Sequence, residues 1–147
     1  MLLKVLEAEQ WHSQEVESAL AEYLPAAFLK SSHFANSDEL VSFFVTLENN
    51  TLYPSKGSTS VSRDGVGDWY QRGVVWAGAL WACRQKVGQR SVDDLVLPAG
   101  RQVNSPPIQP DLVPGKFGAV LASAPPPLGP CFTEEISRRR LPRDRAR

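Results

Sequence analysis

The sequence predicts a small, mainly α-helical domain over residues 1–96, with room for a short edge strand or hairpin, followed by an extended, proline-rich C-terminal arm over residues 97–147. Two observations predict the division. All four tryptophans, all three tyrosines and four of the six phenylalanines precede residue 82, whereas ten of the twelve prolines fall between Pro98 and Pro142. Aromatic residues supply the area a core needs, and closely spaced prolines disfavour regular helix and sheet interiors. A third observation predicts the helical class: Trp69, Gly73, Trp76, Leu80, Cys83 and Val87 recur at spacings of three and four, which places them on one stripe of a helix.

At the N-terminus, Leu3 and Val5 alternate with Lys4, a pattern open to an edge strand or to a helix start. Ser13 is placed to cap a helix with Val16, Leu20, Tyr23 and Leu24 on its apolar side, and Pro25 is expected to end or bend it. Asn36 and Glu39 match a capping box, so helix is favoured over strand for residues 40–47 despite their strand-forming composition. Residues 49–67 read as a long polar loop around Leu52, Tyr53 and Pro54.

The core helix then starts near Asp68, with Gly88 as its C-terminal cap. Core packing is assigned to Trp69, Gly73, Trp76, Leu80 and Cys83, with Tyr70, Val74, Ala77 and Trp81 on an adjoining stripe. Ser91 to Asp94 allows one more helical turn before Pro98 stops it. Beyond that, Pro107 to Pro110 and Pro127 to Pro130 give P-x-x-P spacings, so the arm is expected to dock on a partner through Pro107, Pro110, Phe117, Pro127, Pro130 and Phe132.

Formal net charge is zero, but residues 1–50 hold eight acidic and two basic side chains while residues 51–147 hold eight and fourteen. The basic excess culminates in Arg138, Arg139, Arg140, Arg143, Arg145 and Arg147, candidate contacts to nucleic-acid phosphates. No aromatic residue interleaves them, which argues against stacking on bases.

Catalytic and metal chemistry find little support. His12 and His33 are the only histidines and stand apart, no ligand spacing is evident, and residues 57–60 lack the glycine and lysine pattern of a phosphate-binding loop. No cofactor is expected. With only Cys83 and Cys131 in the chain, no disulfide framework is suggested and a reducing compartment is the simpler reading. The longest apolar run, residues 73–83, is too short for a bilayer span, and residues 1–9 do not resemble a signal peptide, so a soluble protein is expected.

These features favour a non-enzymatic structural or assembly protein that packs against other protein subunits, as in a virion or a ribonucleoprotein particle. A nucleic-acid-associated accessory protein using the arginine end is the alternative. An enzyme built around His33 and the loop at 49–67, or a truncated chain with a foreign C-terminus, are further readings.

Overall fold

The computed structural model describes residues 13–29, 33–35, 44–46, 51–53, 68–104 and 109–144. It is mainly helical: α1 (Gln14–Leu29), α2 (Asp68–Val87), α3 (Gln89–Val103), a 3₁₀ turn (Pro110–Leu112), α4 (Val113–Ala122) and α5 (Leu128–Arg139). Between α1 and α2, strands β1 (His33–Ala35) and β2 (Phe44–Thr46) form an antiparallel pair in which Phe34 faces Val45. The pairing corrects the helix expected over 40–47: residues 44–46 are strand, where β-branched and aromatic composition prevails over the upstream cap signal. The capping residues Asn36 and Glu39, the strand-like Leu3 and Val5, and His12 lie outside the described residues.

Helix α1 begins as its sequence dictates. Ser13 Oγ accepts the Val16 backbone N–H at 3.3 Å, and Val16, Leu20 and Tyr23 turn one buried stripe inward. Pro25 does not stop the helix, which continues through it to Leu29. The most extensive helix contact is between α1 and α2. It is close because Gly73 carries no side chain: a Cβ there would stand 2.5 Å from Ser18 Oγ and 2.6 Å from Ser18 Cβ.

Helix α2 spans the expected residues and ends at Gly88, whose φ of 131° is costly for any residue with a side chain. Trp76, Leu80 and Cys83 are buried as their spacing requires, Gly73 is buried with them, and Ala77 and Trp81 are buried on the neighbouring stripe. The side chains of Trp69 and Tyr70 lie outside the described residues.

The C-terminal third departs most from expectation. Helix α3 runs through Pro98, which is exposed, so its ring lies on the solvent side. The expected boundary between residues 96 and 97 therefore falls inside a helix. Residues 113–139 are not an extended arm: they form α4 and α5, whose Val113, Phe117, Leu121, Leu128, Phe132 and Ile136 complete one core with Trp76, Leu80 and Val92. The prolines sit where helices tolerate them. Pro114 opens α4, Pro127 is the N-cap of α5 and Pro130 lies in its first turn, positions whose backbone N–H has no helical partner to lose. Residues 105–108 and 145–147 lie outside the described residues, Pro107 among them.

One covalent link joins the early and late helices. Cys83 on α2 and Cys131 on α5 form a disulfide across a sequence separation of 48, with Cα atoms 5.8 Å apart. The reading that the two cysteines suggest no disulfide is thus corrected. Two cysteines alone carry no pairing signal in sequence, and only the docking of α5 on α2 brings these together.

Candidate functional site

Among the described residues, three polar clusters are built into the helix interfaces, and they hold most of the buried charge. In the first, Arg84 of α2, only 2% exposed, directs Nε to Asp93 Oδ1 of α3 at 3.1 Å and Nη2 to the Ala27 carbonyl of α1 at 3.2 Å. Tyr23 donates its hydroxyl to the same carboxylate, and the guanidinium stacks 4.8 Å over the Trp81 ring. Burial and the Asp93 carboxylate push the Tyr23 phenol far above its ordinary value, so it stays a donor. Arg84 thereby ties together α1, α2 and α3.

The second cluster surrounds Glu15, in the first turn of α1. The indole N–H of Trp76 donates to its Oε1 at 2.9 Å and the Tyr53 hydroxyl donates to the same carboxyl. Arg72 lies 5.7 Å over the Tyr53 ring and acts on Glu15 only as a nearby charge. Burial raises the carboxyl pKa above its ordinary value, against the lowering effect of Tyr53, Trp76 and Arg72.

In the third cluster, Glu135 of α5 accepts Arg138 Nη2 at 2.6 Å and Arg139 Nε at 2.9 Å, and Lys86 of α2 stands 3.6 Å away. Burial alone would raise this carboxyl, but the hydrogen bonds and charges of Arg139 and Arg138 prevail and hold it below its ordinary value. The backbone N–H of Tyr53 donates to the Arg139 carbonyl at 2.8 Å, so the second and third clusters share a bridging segment.

The expected functional residues divide accordingly. Phe117 and Phe132 are 0% and 1% exposed, Phe117 with its ring 5.5 Å from that of Trp76, and both are core residues rather than surface anchors for a partner. Pro127 is exposed at the N-cap of α5 with φ −87° and ψ 0°, Pro130 is exposed in its first turn, and Pro110 begins the 3₁₀ turn, so these positions do not have the extended backbone that P-x-x-P recognition requires. The arginines do not form one surface. Arg139 is buried against Glu135, Arg138 is paired with it, and Arg140 adopts a left-handed conformation (φ 58°) as the C-cap of α5. Arg143 is exposed and bonds Ser137 Oγ at 3.2 Å, while Arg145 and Arg147 lie outside the described residues.

Sequence reasoning missed Glu15 and Glu135. Their neighbours in sequence give no sign of burial, although Glu135 and Arg139 at i and i+4 were legible as a helix pair once a helix was assigned. His33 lies in β1.

A cleft of about 220 Å³ lies between α4, α5 and residues 142–144, over Gly115, Gly118, Ala119 and Ile136. Its charged rim is Arg143 and Asp144, the latter 3.8 Å from Lys116. No member of the Glu15 or Arg84 cluster lines it. Among the described residues, no group of His, Cys, Asp and Glu is arranged to hold a metal ion, and no helix is long and apolar enough to cross a membrane. No protein-family model, curated protein or solved structure matches the chain.

Proposed function

We propose that this chain is a non-enzymatic structural or assembly subunit that packs through its helical body into a larger complex of other protein subunits, of the kind found in a virion or a ribonucleoprotein particle. The observation that carries this reading is the use made of the buried ionisable groups. Tyr23, Arg84 and Asp93 are spent on one another and on backbone across the interfaces of α1, α2 and α3, Glu15 on the Trp76 indole across the α1–α2 interface, and Glu135 and Arg139 on each other within α5. A catalytic acid or base must instead reach a substrate. Such cross-helix ties favour a rigid body with a fixed surface, as a packing subunit needs. Phe28, in the last turn of α1 and 75% exposed, is a suitable apolar anchor for such a contact.

Isolation of the tagged full chain from its native source under mild conditions tests the proposal. Co-purification with a stoichiometric set of subunits from one particle, weakened by Phe28→Asp, is the expected result. A lone monomer would overturn it.

Exposed Arg140 and Arg143 favour a second reading, association with nucleic acid. Retention on DNA or RNA that falls steeply with salt and vanishes on changing Arg138, Arg140 and Arg143 to Gln would support it over protein packing.

A further inference from the structure

The Cys83–Cys131 bond joins the helices at the centre of the core, and three features give it a role beyond cross-linking. First, it connects the halves between which the core is divided. Trp76, Leu80 and Cys83 come from α2, whereas Phe117, Leu121, Phe132 and Ile136 come from α4 and α5, and neither set is covered without the other. Secondly, the bond is shielded: Cys83 is 0% and Cys131 8% exposed. Thirdly, an ion pair runs beside it. Lys86 lies one turn after Cys83, Glu134 and Glu135 lie one turn after Cys131, and the ammonium stands 3.9 and 3.6 Å from the two carboxylates. The register that brings the sulfurs together is thus set by independent contacts.

We propose that this bond is a one-way redox latch: oxidation locks the core closed, and the closed core then protects the bond from thiol reductants. Closing requires a disulfide-containing oxidant. One thiolate of the chain attacks it to form a mixed disulfide and release a thiol, and the second thiolate displaces the other thiol as the intramolecular bond forms. Two electrons and two protons leave the chain in all. Opening is the reverse, with a dithiol such as dithiothreitol as reductant. Its thiolate must reach Sγ of Cys131 or Cys83, and the shielding makes that attack wait on unfolding. The inference concerns compartment and order of events: a reduced chain holds its fold less firmly and opens more often in a thiol-rich environment, and commits to its fold in an oxidising one. It does not rest on the assembly reading.

The test uses the purified full chain, oxidised and then reduced with dithiothreitol in urea and refolded in its presence, with thiol content read by alkylation and mass. Closing a loop of 48 residues makes the folded-to-unfolded ratio about a thousandfold larger when the bond is present. The reduced chain should therefore melt roughly 10–20 °C lower. Because reduction removes no side-chain heavy atom, this difference reads the link together with the parting of its two sulfurs. The double variant Cys83→Ala/Cys131→Ala should melt low with or without reductant. In native buffer, the oxidised chain should lose its bond no faster than it unfolds, and urea should accelerate the loss. Equal melting of reduced and oxidised chains would overturn the latch, as would reduction of the native bond at the rate of an exposed disulfide, or two alkylatable thiols in protein purified without reductant.

Discussion

Glu15 and Glu135 are both nearly fully buried glutamates on helices, yet they sit in opposite electrostatic environments. Glu15 is met by two neutral donors, the Trp76 indole and the Tyr53 hydroxyl, with Arg72 only as a nearby charge, and burial prevails to raise its pKa. Glu135 is met by two guanidinium groups in direct contact and by Lys86, and its pKa falls. Burial sets the cost of a charge, and the partner's own charge decides whether that cost is met. The Glu135 cluster is a bound ion set, in which every member holds another in place. The Glu15 cluster is a hydrogen-bonded carboxyl that the fold would accommodate more easily with a proton on it.

The severest way to break this comparison is to remove one side of it. Truncation after Gly100 deletes Phe117, Leu121, Leu128, Cys131, Phe132, Glu135 and Ile136 and leaves Trp76 and Cys83 uncovered. The Glu15 end should not stand alone. Loss of the cooperative thermal transition and of near-ultraviolet dichroism is expected, and a truncated chain that melts sharply would show two independent cores.

Trp76→Ala comes next. Trp76 is 1% exposed, packs on Phe117 and donates to Glu15, so its loss should cost about 3–5 kcal/mol in urea unfolding. Trp76→Phe keeps an aromatic ring but removes the N–H, and should cost about 1–3 kcal/mol, the cost of leaving a buried carboxyl short of a donor.

A matched pair of substitutions compares the two carboxyls directly. Glu135→Gln leaves Arg139, 1% exposed, without its counter-charge and should cost about 3 kcal/mol. Glu15→Gln removes a charge with no ion pair in direct contact, and its effect should stay within about 1 kcal/mol of wild type. Equal losses would mean that Arg72 pairs with Glu15 as firmly as Arg139 pairs with Glu135.

The smallest effect is in pH dependence, where the two groups have opposite signs. Glu135, with its folded pKa below the ordinary 4.5, contributes stability above that value that is lost as pH falls through the lowered one. Glu15, with its folded pKa above 4.5, does the reverse: the penalty of its buried charge is relieved as pH falls through the raised value toward 4.5. Urea midpoints between pH 7 and 3 should show Glu135→Gln losing part of the acid destabilisation of wild type. Glu15→Gln should lose the relief above pH 4.5. Profiles parallel to wild type in both variants would refute the contrast.

Much of the first part of the fold was legible in the sequence, because α2 declares itself. Its stripe from Gly73 to Cys83, its start at Asp68 and its stop at Gly88 are all local properties of the chain. Ser13 and the apolar positions of α1 were equally readable. The error over residues 113–139 has a particular cause. Proline density argues against helix only at interior positions, whereas Pro114, Pro127 and Pro130 stand at helix beginnings, where a missing N–H costs nothing. The arginine end differs in the same way: composition shows six cations, and the fold uses Arg139 inside, Arg138 beside it and Arg140 as a cap.

The sequence by itself therefore determined the mainly helical class, the limits of α2 and the aromatic side of the core, since periodicity, caps and glycine conformations act within a few residues. Tertiary structure alone decided that Cys83 meets Cys131, that Tyr53 reaches Glu15, and that two glutamates of the same type have pKa values displaced in opposite directions. Those outcomes depend on which groups from distant parts of the chain share a water-poor space, and neither spacing nor composition encodes that proximity.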